Sequence, residues 1–149
     1  MTDSAEQGDA ALAALRPHSD AAAAGLRAWD AADRYLLDAV ALTHRDRLIA
    51  PDARIAIIDD AHGALAVGLA TLGVRRASIH QDSVVSQRAT RANLADARAE
   101  VALDGCPLET VAIGAELVLL RLPRSLQRLD AIAQKMLLNT LMALPGMSA

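Results

Sequence analysis

Residues 54–72 read Arg-Ile-Ala-Ile-Ile-Asp-Asp-Ala-His-Gly-Ala-Leu-Ala-Val-Gly-Leu-Ala-Thr-Leu, and this stretch constrains the fold more than any other. Four apolar residues, Ile55 to Ile58, form too short and too uniform a run for an amphipathic helix, and they match a strand buried on both faces. Asp59 and Asp60 close it, a small-residue turn surrounds Gly63, and Leu65, Leu69 and Leu72 then recur at helical spacing. Strand, tight turn and helix in that order open an α/β nucleotide-type fold. A turn that cradles a cofactor places glycines where the backbone needs φ > 0 or a ligand must come close. Here the loop holds Ala61, His62, Ala64 and Leu65, and Gly63 is its one glycine, so the scaffold is intact while the pocket reads as closed.

The rest of the chain repeats the alternation. Residues 1–25 are rich in Ala, Asp and Ser without a sustained apolar face, and are expected to form a loosely packed, mobile tail; residues 26–149 are expected to form the domain. Leu26, Trp29, Leu36, Leu37 and Val40 mark a helix from Leu26 to Thr43, with Asp30, Asp33, Arg34 and Asp38 on its polar side and Trp29 as a core anchor. After the helix that ends near Gly73, a residue suited to a left-handed cap, Ala77 to His80 read as a second strand. Asp82 or Ser83 can cap a helix to about Asp96, with Val84, Val85, Ala89, Ala92 and Leu94 available for burial. A weaker strand spans 100–103 and leads into a turn at 104–107. Glu116 to Leu122 form the second-strongest strand. Ser125 then caps a helix carrying Leu126, Leu129, Ile132, Met136, Leu137 and Leu141, which Leu-Pro-Gly at 144–146 ends. Strands alternating with helices imply a mostly parallel sheet flanked by helices, a Rossmann-like α/β fold. Three or four strands are fewer than a complete doubly wound domain has, so the domain reads as truncated at its C-terminal side, with an open sheet edge through which copies could associate.

Composition narrows the class. The 149 residues are 53% hydrophobic, but with one Trp, one Tyr and no Phe the core must rest on Leu, Ile and Val. Fifteen basic against 18 acidic residues give a net charge of −3, which excludes binding to nucleic acid by bulk charge and leaves local patches. Cys106 is alone, so no disulfide can form within the chain. No signal sequence and no apolar run near the ~18 residues of a membrane span occur. A cytoplasmic protein with no membrane contact is the expectation.

In such folds ligands sit beyond the C-terminal ends of the strands, where this sequence puts Asp59, Asp60, His62, His80, Gln81, Asp82, Arg121, Pro123 and Arg124. A receiver-like signalling domain would use the Asp59–Asp60 pair for Mg²⁺, but Arg121 stands where the phosphoacceptor aspartate belongs. A metal site from Asp60, His62, His80 and Asp82 has suitable residue types, at spacings that turn capping explains equally; no metal is expected.

Four segments taken in order carry a resemblance: Leu-Arg-Ala-Trp-Asp-Ala-Ala-Asp-Arg-Tyr-Leu-Leu (26–37), Ile-Ile-Asp-Asp-Ala-His-Gly-Ala-Leu (57–65), Ala-Thr-Arg-Ala-Asn-Leu (89–94) and Leu-Leu-Arg-Leu-Pro-Arg-Ser-Leu (119–126). Together they resemble the N-terminal domain of the two-domain ribosomal RNA guanine-N2 methyltransferases. The resemblance implies a duplicated architecture: the C-terminal copy binds S-adenosylmethionine and methylates guanine, and the N-terminal copy has lost the cofactor site and serves RNA or its catalytic partner domain. By that register Asp59 is the acid that opens the cofactor loop. Ala61 and Leu65 replace its first and third glycines, a left-handed Ala61 would cost about 1–2 kcal/mol, and Leu65 would fill the methionine subsite. Gln81 stands for the ribose-binding acid. Arg-Leu-Pro-Arg (121–124) replaces the catalytic Asn-Pro-Pro-aromatic motif. The expectation is a cofactor-free pseudoenzyme domain, with an active S-adenosylmethionine-dependent methyltransferase as the alternative. Arg121, Arg124 and Arg128, together with Arg88 and Arg91, are its candidate contacts to RNA phosphate.

Overall fold

A computed structural model describes residues 3–17, 28–46 and 52–143. Its order is α1 (Asp3–Ala13), α2 (Ala31–Arg45), β1 (Ile55–Ile58), α3 (Ala64–Thr71), β2 (Arg76–His80), α4 (Val84–Asp96), β3 (Ala102–Gly105), β4 (Leu117–Leu120) and α5 (Leu126–Ala143). The four strands form one parallel sheet ordered β3-β2-β1-β4, the order of the first four strands of a doubly wound sheet. Ile55, Ala56, Ile57 and Ile58 are fully buried, as a central strand covered on both faces requires.

Side-chain alternation along β1 divides the core in two. Ile55 and Ile57 join Leu12, Leu15, Leu37, Val40, Leu65, Leu69, Ile79 and Leu119 on one face. Ala56 and Ile58 meet Val111 and Ile132 on the other. Fixed crossover handedness explains the split, because the chain steps from β1 to β2 to β3 in one direction and then jumps back past β1 to β4. α3 therefore packs with α1, α2 and α4 on one side, and α5 lies on the other. Gly68 in α3 faces the Leu37 side chain so closely that a Cβ there would overlap it, so this glycine sets how near α2 lies to α3.

Several expectations need correction. The supposed tail is helical from Asp3 to Ala13; Leu12 and Leu15 are 2% and 9% exposed, and Arg34 of α2 holds Asp9 at 3.0 Å. An alanine-rich segment favours helix without a broad apolar stripe, and two leucines suffice to dock it on α3. Residues 18–27, including Leu26, and the Leu-Pro-Gly at 144–146 lie outside the described residues. α2 starts at Ala31, with Trp29 half-buried against the core just ahead of it. Val84 and Val85 are exposed rather than buried, because α4 turns Ala89, Thr90 and Asn93 inward instead. The turn expected at 104–107 is strand through Gly105. β4 stops at Leu120, leaving Leu122 exposed. Among the described residues, no helix is long and apolar enough to cross a membrane.

Candidate functional site

Strand order reverses between β1 and β4, and the C-terminal ends of these strands are where an α/β sheet opens a crevice for ligands. Asp60, at the end of β1, is 1% exposed. Its carboxylate accepts hydrogen bonds from the backbone N–H groups of Gly63 (3.1 Å) and Ala66 (3.1 Å). The amides that a helix N-terminus would offer to an anionic ligand are thus held by a side chain of the same loop. Burial drives the Asp60 pKa up to about 6, against those hydrogen bonds and with the charge of Asp33 adding to the rise.

The turn's strain does not fall on Ala61. Left-handed backbone occurs at Asp59 (φ 64°) and Gly63 (φ 89°), and aspartate tolerates that region better than most side chains. Gly63 also lies against α4: a Cβ there would come 2.9 Å from the Thr90 Cα. Leu65 is fully buried in the apolar cluster with Ile55 and Leu12. Gln81 donates its amide to Asp60 O (2.6 Å) and Thr90 Oγ1 (2.8 Å), while Asn93 Nδ2 donates to His62 O (2.8 Å). α4 therefore holds the loop at both ends.

Arg121 leaves β4 on the α2 side. Its guanidinium donates to Asp30 Oδ2 and Asp33 Oδ2, each at 2.7 Å. These two acids form the capping box of α2: Asp30 Oδ1 accepts from Ala32 N and Asp33 N, and Asp30 N donates to Asp33 Oδ2. Asp33, expected on the solvent side, is fully buried. Burial raises its pKa, with the Asp30 amide and Arg121 pulling the other way. For the more open Asp30, burial is outweighed by the Arg121 hydrogen bond and charge and by backbone donors, so its carboxyl lies below the usual range. Burial disfavours the Arg121 cation, but Asp33 and Asp30 more than compensate and raise its pKa.

A second junction closes the other flank. Arg128, in the first turn of α5, reaches Asp59 Oδ1 (3.2 Å) and Asp82 Oδ2, and these acids raise its pKa against burial. Asp82 also meets His80 Nε2 at 2.8 Å, and His80 Nδ1 lies 2.9 Å from Cys106 O. The ends of β1, β2 and β4 are so joined to α2 and α5 by ion pairs across the crevice.

Of the sequence candidates, Asp59, Asp82 and Arg128 come together here, and Arg121 comes together with Asp30 and Asp33, whose part in the site the sequence reading missed. The available signal was the Asp-x-x-Asp spacing just before an apolar helix. Arg88, Arg91 and Arg124 are exposed and have no ion-pair partner among the described residues. Among those residues no three His, Cys, Asp or Glu side chains converge as a metal site would require.

The segment order and the closed loop bear on how this chain compares with known proteins. It is 33% identical over 130 residues to the ribosomal RNA large subunit methyltransferase G of Pseudoalteromonas translucida, covering 85% of this chain and 32% of that one. It is 36% identical over 111 residues to the protein of that name from Pseudomonas syringae pv. tomato, covering 70% and 27%, and 38% over 109 residues to that of Pectobacterium atrosepticum, covering 70% and 26%. The chain thus spans a third or less of the length of these relatives. The family model described as the RLMG N-terminal domain matches residues 4–142, a span that runs from α1 through the capping box of α2, the loop after β1 and all four strands into α5, and the chain belongs to that family.

Proposed function

We propose that this chain is a cofactor-free, methyltransferase-like domain serving an enzyme that methylates guanine N2 in large-subunit ribosomal RNA, through RNA or interdomain contacts rather than catalysis. The observation that carries the reading is Asp60 occupying the donors at the start of α3, beside a crevice spanned by the Arg121 and Arg128 ion pairs. S-adenosylmethionine does not fit the residues present. Ala61 and Leu65 stand where loop glycines belong, Gln81 is committed to the loop and α4, and Arg121 to Arg124 bring neither an amide nor an aromatic ring to a guanine. Asp60, whose pKa burial raises to about 6, has its carboxylate engaged by backbone amides and no access to solvent, so it supplies no general base.

Isothermal titration with S-adenosylmethionine is expected to give no binding heat up to about 1 mM, whereas a Kd of a few micromolar, about −7 to −8 kcal/mol, would reverse the reading in favour of an active enzyme.

Contact with RNA falls to those candidate arginines that no acid among the described residues holds. Arg88, Arg91 and Arg124 are free to meet phosphates, while Arg121 and Arg128 would first have to abandon carboxylates. Replacing those three by Ala is expected to weaken binding to a single-stranded RNA and to flatten its dependence on log salt by about 2, at about 0.7 for each phosphate left without its arginine. An unchanged slope would remove RNA from the proposal and leave the interdomain role.

A further inference from the structure

α4 leans toward α3 rather than over the outer strand, because Thr90 abuts Gly63 and Asn93 is tied to Arg16 and His62. A trough of about 660 Å³ is left between α4 and the β2–β3 side of the sheet. Gln87, Thr90, Arg91 and Leu94, spaced as one helical face, form its wall, and Ile79, Val101 and Leu103 line the strand side. An added Cβ at Gly105 would meet nothing within 4 Å, so the trough is open there.

β3 is the outermost strand on this side. The amides of Ala102 and Cys106 donate inward, to Arg75 O and Ile79 O. Hydrogen-bonding direction alternates along a strand, so Val101, Leu103 and Gly105 turn their N–H and C=O groups outward. These three residues also line the trough. A row of backbone groups with no partner among the described residues, about 13 Å long over the four residue steps from Val101 to Gly105, therefore runs beside a part-apolar trench.

We infer that this trough is a peptide-binding site, in which an extended segment of another protein adds to β3 as a fifth strand and sends alternate side chains in toward α4. Backbone groups repeating at every second residue select an extended polypeptide, with main-chain hydrogen bonds for affinity and alternate side chains for specificity. Leu94, Val101 and Leu103 suit small branched residues. Arg91, the lining cation without a carboxylate partner among the described residues, selects an Asp or Glu between them. Nothing in this inference depends on the methyltransferase reading.

The probe is the peptide acetyl-Ser-Val-Asp-Val-Thr-Val-amide, titrated into the full chain and followed by amide NMR. Expected are shifts centred on Val101, Leu103 and Gly105, and hydrogen exchange at Leu103 and Gly105 slowed about tenfold in the complex, as new main-chain bonds would produce. Arg91→Glu should weaken binding about tenfold and transfer preference to the peptide carrying Lys in place of Asp. The same peptide N-methylated at alternate backbone nitrogens should bind about tenfold more weakly to the unaltered protein, a test that survives any folding defect in the variant. The inference is overturned if the peptide gives no shifts at about 1 mM, if it binds without slowing exchange at Leu103 and Gly105, or if adenosine monophosphate or a short oligouridylate perturbs these residues while the peptide does not.

Discussion

Arg121→Ala destabilises the domain by about 3 kcal/mol at pH 7, measured by urea denaturation, and lowers its melting temperature by roughly 6–12 °C. The loss comes less from the missing attraction than from what remains. Asp33 is fully buried with Oδ1 already lacking a hydrogen-bond partner, and without Arg121 it holds an uncompensated charge. Breaking a buried pair by removing one partner costs about 3–5 kcal/mol, and the quarter exposure of the Arg121 side chain puts the effect at the lower end. Asp30 is exposed enough to contribute little.

pH separates this account from a simple packing defect. The folded-state pKa of Asp33 already lies above its unfolded value of 3.8, and losing the cation raises it further. A raised carboxyl stabilises the fold below the unfolded pKa and loses that contribution as pH rises through the folded pKa. The gap between wild type and Arg121→Ala should therefore be small near pH 4 and full by neutral pH. Asp60 gives both proteins a decline as pH rises from about 4 to about 6, which cancels in the difference except for its coupling to the charge of Asp33. The double variant Asp33→Leu with Arg121→Met should recover most of the loss, because apolar residues often replace a buried pair without cost. A gap of equal size at pH 4 and pH 7 would show that Arg121 acts by packing alone.

Gly63→Ala is expected to cost about 3 kcal/mol, in two parts. Left-handed backbone at φ 89° costs a side chain about 1–2 kcal/mol. The added methyl must also part α3 from α4, since its nearest neighbour is the backbone Cα of Thr90 at 2.9 Å, and overpacking of this kind costs about 1–3 kcal/mol. Gly73→Ala is the control: it has the same φ of 89° and open space around the added atom, so it should lose the backbone part alone. Equal losses in the two variants would mean that α4 yields freely and that Gly63 is kept for its dihedral angle only.

Much of the fold was legible in order along the chain. Ile55–Ile58, a cap for α4 at Asp82 or Ser83, of which the structure uses Ser83, the left-handed Gly73 and the alternation of strand and helix all depend on neighbours within a few residues, and sequence displays such preferences directly. The site was only half legible. Arg121, Arg124, Arg128, Arg88 and Arg91 all read as exposed cations, yet acids engage two of them and, among the described residues, none of the other three. The tail was misjudged because docking α1 takes two leucines and a surface supplied by α3.

What the sequence determined by itself was therefore the local register of this protein: which segments are strand or helix, where they stop, and that the turn after β1 lacks the glycines of a cofactor cradle. What only the tertiary structure decided was who neutralises whom. Arg121 finds its carboxylates 88 and 91 residues away, across a strand order that no short-range pattern encodes. Asp33 is buried because β4 lies beside β1 and brings Arg121 to the start of α2. Propensity and periodicity act over a turn or two of backbone, whereas the burial of a charge is settled by the whole packed sheet.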